Sequence, residues 1–314
     1  MRRISLMITS RIARLLAGRD GGCDDAFSRF FQAAQTPQSP PAPAAPPTKA
    51  TGGAELSVTT RVGAKKYRIT SNDKYFDHIK GEFEPAMVTL FASLLRDGDC
   101  VLDVGANIGC TSLLFSQVAR QVFSFEPSPT TFGLLQKNLA VAQAYNVVAA
   151  NLGLGNSEGG FELTFAPDNR PGGFVSNLTT ASSSHQVGSI GIVAGDAYLR
   201  GAHIEHVDFI KIDVEGFERN VIEGLSETLE RCKPVVVLEL NHWCVNAFQR
   251  TSVPDFFDFL RAVFPFLYAV DGADVRNLHD PNDAYHVMYQ HIARNSRYPN
   301  LVGAFDESRV PLSG

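Results

Sequence analysis

The chain has 314 residues, of which 44% are hydrophobic and 19% charged, with a formal net charge of −5. That is the make-up of an ordinary globular protein with room for one large domain or two small ones, and it gives no long-range attraction to nucleic acid. Five scattered cysteines with no C-x-x-C pair, and no apolar run of bilayer length, exclude a disulfide framework, a zinc cluster and a membrane span, and a cytoplasmic location is expected.

The chain opens like a signal peptide, but Arg11 and Arg14 interrupt the apolar stretch and no small-x-small cleavage site follows. Ile4, Ile8, Ile12 and Leu15 fall at helical spacing among Arg11, Arg14 and Arg19. This predicts a short basic amphipathic appendage over residues 1–35, either docked on a partner or in weak contact with an anionic membrane surface through residues 1–19. Six prolines among alanines then mark an extended linker over 36–53. The folded domain is expected over 54–314.

Residues 56–69 alternate around Gly63 and Ala64 and read as a hairpin. Residues 84–95 have helical periodicity and stop before Gly98. Residues 100–104 are a short apolar run without alternation, as in a strand buried on both faces. A helix over 111–119, a strand over 121–126, a helix opened by Ser128 or Thr130 and a strand over 146–150 follow. Residues 159–165 read as a strand of an insertion, and 166–190 as a long polar loop. Strands over 207–213 and 234–240, helices over 217–224 and 254–263, and closing strands over 266–270 and 285–288 complete the pattern. Strands alternating with helices predict a doubly wound α/β sheet.

In such a sheet, ligands bind beyond the carboxyl ends of the strands. Here those ends carry Asp103, Glu126, Asp213 with Glu215, and Glu239 with Asn241. The run Val101-Leu-Asp-Val-Gly-Ala-Asn-Ile-Gly109 places a glycine turn between strand and helix, and Glu126 ends the next strand. A tight glycine turn lets backbone approach a ligand, and an acid at the second strand end suits a ribose diol. The turn lacks the three glycines of the dinucleotide fingerprint. A carboxylate at Asp103 would repel a pyrophosphate and favour a cationic nucleoside, which points to S-adenosylmethionine over NAD.

Asp103-Val-Gly-Ala-Asn-Ile-Gly109, Phe125-Glu-Pro-Ser-Pro129 and Val207-Asp-Phe-Ile-Lys-Ile-Asp-Val-Glu-Gly-Phe-Glu218 resemble the three signatures of the FkbM family of methyltransferases. The resemblance covers about residues 84–241. It implies a Rossmann-like seven-stranded methyltransferase sheet with helices on both faces, S-adenosyl-L-methionine as donor, and a hydroxyl of a sugar or secondary metabolite as acceptor. Carried over, the turn around Gly105 shapes the methionine pocket and Glu126 binds the ribose. Some family members have Leu-Asp-Asp before the third signature, where this chain has Gly195-Asp196-Ala197.

The expected cofactor-binding residues are therefore Asp103, Gly105, Asn107, Gly109, Glu126 and Asn151. A sugar hydroxyl is a poor nucleophile and needs a base or a metal. Asp213 is the first candidate base, Glu215 the second and His242, just past the fifth strand, the third. The plainer readings are Asp213 as a turn cap, Glu215 as a support for the cofactor's amine and His242 as a packed imidazole. Asp213, Glu239 and Asn241 offer hard oxygens for a divalent ion, but hydrogen bonding among them is the favoured reading and no resident metal is expected. Lys211 sits mid-strand and is expected to snorkel or to pair with an acid rather than to react. Asn169, Arg170, Asn177 and His185 are placed over the acceptor, with Trp243 and Phe248 as aromatic faces or core. The rival readings are an NAD-dependent oxidoreductase and a non-catalytic cofactor-binding regulator.

Overall fold

A computed structural model describes residues 55–72, 79–166, 169–175, 186–294 and 296–311. The expected appendage over 1–35, its membrane contact and the linker over 36–53 lie outside these residues.

Strands β1 (Leu56–Val62) and β2 (Lys65–Ser71) form the expected hairpin, paired from Leu56 with Ser71 to Val62 with Lys65. Strand β3 (Gly81–Glu82) adds in parallel to β1. Helix α1 (Pro85–Leu94) follows, with its proline in the first turn, where no backbone donor is needed. Strand β4 (Cys100–Val104) is buried at every position, as its unbroken apolar run implies. Helix α2 (Cys110–Phe115), strand β5 (Gln121–Phe125), helix α3 (Pro129–Ala142) and strand β6 (Val147–Ala150) come next. Ser128 caps α3 by accepting from the Thr131 N–H.

The chain then leaves the main sheet. Strands β7 (Gly153–Gly155), β8 (Gly159–Ala166), β9 (Asn169–Val175) and β10 (Gln186–Ala194) form a second sheet of order β7-β10-β8-β9. The long loop expected over 166–190 is thus corrected. Its two flanks are strands whose pairing with β8 overrides a glycine-rich composition.

Helix α4 (Gly195–Gly201) leads to strand β11 (Phe209–Ile212), helices α5 (Glu218–Gly224) and α6 (Ser226–Cys232), and strand β12 (Val235–Glu239). Helices α7 (His242–Gln249) and α8 (Val253–Val263) precede the hairpin of β13 (Phe266–Asp271) and β14 (Asp274–Asn277). Helix α9 (Pro281–Ala293) and strand β15 (Asn300–Ala304) close the domain. Residues 285–288, expected as a strand, lie inside α9. Asp280 accepts from the N–H groups of Asn282 and Asp283, and Pro281 sits in the first turn. That start signal fixes a helix despite the aromatic content.

The main sheet has the order β14-β13-β15-β12-β11-β4-β5-β6. It is the expected Rossmann-like sheet with one strand more than seven, because β14 adds at the edge as the antiparallel partner of β13. Alternate residues feed two cores. Leu102, Val104, Ile210 and Ile212 face α5, α6 and α8, while Val101, Phe209, Val235 and Val237 face α1, α2 and α3. On the second side Phe91 meets Phe115 and Phe209 edge-on at 5.1 and 5.9 Å. No described helix is long and apolar enough to cross a membrane.

Candidate active site

Strand β4 pairs with β5 on one side and β11 on the other. The strand order reverses between them, which opens a crevice at their carboxyl ends. The glycine turn fills its floor. Gly105 has φ +80°, and a Cβ there would lie 1.8 Å from the Asp213 carbonyl oxygen, so no other residue fits. The N–H groups of Gly105 and Ala106 both donate to the Phe125 carbonyl at 3.0 Å, and that of Asn107 donates to Glu126 Oε2 at 3.0 Å. Gly109 N–H donates to the Ala106 carbonyl at 2.9 Å and its residue starts α2. The N–H groups of Gly105, Ala106 and Asn107 are thus taken by the end of β5 and Glu126.

Glu126 also accepts from the Ser128 N–H at 2.9 Å through Oε1. Each carboxylate oxygen is thus fixed by one backbone donor and keeps capacity for another. Burial pushes its carboxyl up to about 7, against the pull of the Ser128 and Asn107 N–H groups. Glu126 lines a cleft of about 750 Å³, its open mouth included, together with Gly105, Asn107, Phe125, Pro127, Gly153 and Leu154. Leu163, Ile190 and Ile192 of the inserted sheet add apolar lining, and Asp213, Glu215 and Phe217 line it too. A second cleft of about 700 Å³ shares Gly105, Asn107 and Asp213 and adds Glu84, Met87, Lys211, Glu239 and Asn300. Asn107 Oδ1 is buried without a hydrogen-bond partner, in a residue that lines both clefts.

Two expected cofactor contacts sit behind the cleft instead. Asp103 is fully buried under the turn, where its Oδ2 accepts from Thr111 at 2.8 Å and Ser112 at 2.6 Å and its Oδ1 lies 3.4 Å from Lys211 Nζ. Its charge is met by that lysine, so it is not the free anion that the sequence argument placed beside the ligand. The Asn151 amide is used up on the carbonyls of Glu126, at 2.9 Å, and Pro127, at 3.1 Å. It braces the chain after Glu126 and lines neither cleft.

Lys211 is the hub of the acids. Its Nζ donates to the Gly105 carbonyl at 2.7 Å and lies 3.3 Å from Asp213 Oδ2. Burial works against its charge, but Asp213 and Asp103 outweigh burial and hold the amine well above its usual range. Burial likewise works to raise Asp213, yet the Lys211 charge and the hydrogen bonds from Glu239 and Lys211 hold that carboxyl below the usual range. The Asp213 charge, then burial, pushes Glu239 well up.

Glu215 has φ +51°, and Gly216 after it packs where a Cβ would lie 2.9 Å from the Cys244 backbone. Glu215 Oε2 accepts from the Asn241 amide at 3.0 Å and the Cys244 thiol at 3.1 Å. Burial first, then the Asp213 charge, raises its carboxyl to about 7 against those donors. Beneath it the buried Glu218 accepts from the N–H groups of Val214 at 3.3 Å and Gly216 at 3.1 Å, which folds the loop back on itself. Asp213, Glu215 and Glu239 each bring an oxygen within 4.8 Å of the others. Asn241, expected beside them as a hard ligand, instead donates to Glu215 and caps α7.

His242, the third candidate base, opens α7. It faces α9, where its backbone N–H donates to His291 Nε2 at 3.4 Å and its ring meets the His291 ring edge-on at 4.9 Å. It lines neither cleft. Asp196 is also structural: its carboxylate accepts from the N–H groups of Glu227, at 2.8 Å, and Thr228, at 3.0 Å, and so caps α6. Asn169 and Arg170 begin β9, while Asn177 and His185 lie outside the described residues. Phe248 is core and Trp243 is not. The sequence argument missed Leu163, Ile190 and Ile192 as cleft wall and Glu218 as loop support. The alternation of 159–165 was the one available signal for the first.

The model of the methyltransferase FkbM domain matches residues 103–268, just over half of the chain. The chain is 30% identical over 154 residues to the hexuronic acid methyltransferase AglP of Haloferax volcanii, covering 49% of this chain and 61% of that protein. It is 28% identical over 163 residues to Methyltransferase 1 of Beauveria bassiana, covering 46% of this chain and 65% of that one. The chain thus spans less than two thirds of the length of these curated relatives. A crystal structure of methyltransferase FkbM from Methylobacillus flagellatus aligns at a TM-score of 0.40 and 19% identity, over 57% of this chain and 42% of that one.

Proposed function

Because the chain belongs to the FkbM methyltransferase domain family, we propose that it transfers a methyl group from S-adenosylmethionine to a hydroxyl of a sugar, glycan or glycosylated metabolite. The observation that carries this reading is one crevice lined by both Glu126 and Glu215, each held by fixed hydrogen-bond donors.

The residues present fit the cofactor. Glu126, fixed by two backbone donors, has acceptor capacity left for the ribose hydroxyls. Leu154, Leu163, Ile190 and Ile192 offer an apolar wall to the adenine ring. The orphaned Asn107 Oδ1 is an acceptor for an ammonium group. No backbone donors of the 105–107 turn remain for a pyrophosphate, which counts against the NAD-dependent oxidoreductase.

When bound, S-adenosylmethionine supplies the electrophilic methyl group, and the protein orients its partner. Glu215 is the group that takes the acceptor's hydroxyl proton, on Oε1, while Asn241 and Cys244 hold Oε2. A carboxyl near 7 is well matched to that task. Asp213, kept ionised by Lys211, is a weaker base and orients the acceptor hydroxyl as a hydrogen-bond acceptor. Three acids at this end favour a neutral hydroxyl over an acceptor that is already a carboxylate, which they would repel and which needs no base. The same acids have no task in a non-catalytic regulator.

The test is calorimetric titration with S-adenosylhomocysteine and with NAD, followed by transfer of labelled methyl to a panel of methyl glycosides and uronic acids. Binding of the first ligand and transfer to a hydroxyl are expected. Uptake of NAD alone would overturn the reading, and methyl esters as sole products would overturn the hydroxyl acceptor.

A further inference from the structure

Trp243 is the single tryptophan of the chain and stands 61% exposed in the first turn of α7, although this residue type is usually well buried. Its ring meets Phe248 at 5.1 Å with an interplanar angle of 90°, and Phe248 is itself core. The indole is therefore braced at a set angle and still open to solvent. Its chain neighbours are tied to the proposed base: the Asn241 amide and the Cys244 thiol both reach Glu215 Oε2. The edge strand β9 of the inserted sheet runs beside the same helix. The exposed Tyr285 and Tyr289 belong elsewhere. They stand on the face of α9 turned away from His291, which is the residue that meets α7 through His242.

We propose that Trp243 is the platform on which the apolar face of the acceptor's pyranose ring stacks, one residue from the thiol that braces Glu215. A pyranose shows C–H groups on its faces and hydroxyls around its rim. A braced indole meets the faces and leaves the rim to Glu215 and Asp213. Large aromatic faces with a few convergent polar groups are the usual make-up of such subsites. This inference rests on the sugar-acceptor reading above.

The single tryptophan makes the test direct. Protein loaded with S-adenosylhomocysteine is titrated with methyl β-glucuronide, methyl α-rhamnoside and cellobiose while Trp243 emission is followed, and methyl transfer to each is measured. At least one sugar is expected to quench and blue-shift the emission. Trp243→Ala is then expected to raise KM for that sugar about tenfold with kcat held within about twofold, and Trp243→Phe to recover most of the loss. Circular dichroism and cofactor affinity check that both variants fold. Transfer to a sugar with unmoved emission and unchanged KM would overturn the platform and leave the proposed activity standing. Cofactor binding with no sugar either methylated or seen by Trp243 would overturn both the platform and the sugar acceptor.

Discussion

Lys211 donates to the carbonyl oxygen of Gly105 at 2.7 Å, so the strand that carries the acids also pins the glycine turn. The same amine faces Asp103 and Asp213. Lys211→Met keeps the length of the side chain and removes the charge. It leaves Asp103 buried and unpaired, a loss of about 3–5 kcal/mol. Urea unfolding is expected to show that loss, and S-adenosylhomocysteine affinity is expected to fall with it. A variant with wild-type stability would show that Asp103 is satisfied by Thr111 and Ser112 alone.

Glu126→Gln tests the ribose end. Two charge-assisted hydrogen bonds are weakened, so affinity for S-adenosylhomocysteine is expected to fall about a hundredfold while the fold persists. The wild-type site carries its own pH signature. The carboxylate is the form that accepts two hydroxyls, and its carboxyl titrates at about 7. Affinity is expected to weaken as pH falls through that value, and the variant to lose the dependence. Calorimetry across the pH range reads both.

Glu215→Gln tests the base. With cofactor saturating, wild-type kcat is expected to rise as pH passes through about 7, because the ionised form takes the proton. The variant is expected to lose about a hundredfold or more in kcat, the usual scale for a positioned base, with cofactor affinity little changed. Asp213→Asn is expected to lower turnover more than cofactor affinity. An unaltered pH profile in Glu215→Gln would move the base elsewhere.

Stability is expected to respond to pH in the opposite sense from most carboxylate effects. Glu218 is buried and its carboxyl is raised from 4.5 to about 7. Between those values the unfolded chain has released the proton and the native chain still holds it, so stability falls as pH rises across this window. The native state is fully favoured below 4.5 and carries the whole penalty above about 7, at most about 3 kcal/mol for this group. Melting temperature is expected to be higher near the bottom of the window than above it, and Glu218→Gln to flatten the slope. A wild-type profile that rises with pH would refute this.

The parallel half of the sheet was legible because its strands are short apolar runs closed by turn signals. Cys100–Val104 with its glycine turn, and Gln121–Phe125 before Glu126, announce themselves in this way. The places of Gly105 and Glu126 were legible for the same reason: the turn needs one, and the other follows directly on the next strand. Asp103 was misjudged because its partner Lys211 lies 108 positions away, and no local pattern shows that a charge is already met. His242 was misjudged because the position after a strand end does not say which way a helix start will turn, and packing against His291 decides it. The inserted strands were masked by glycine and serine. Their order comes from antiparallel pairing with β8, which local propensity does not encode.

Leu163, Ile190 and Ile192 reach the cleft from the second sheet, inserted between β6 and β11 of the main sheet. Phe161 of that inserted sheet meets Phe217, two residues beyond Glu215, edge-on at 6.0 Å. The apolar wall of the cleft therefore comes from an insertion that also packs against the loop carrying Glu215. Exchange of that insertion is expected to reshape one wall of the cleft and leave the ladder of β5, β4, β11 and β12 in register.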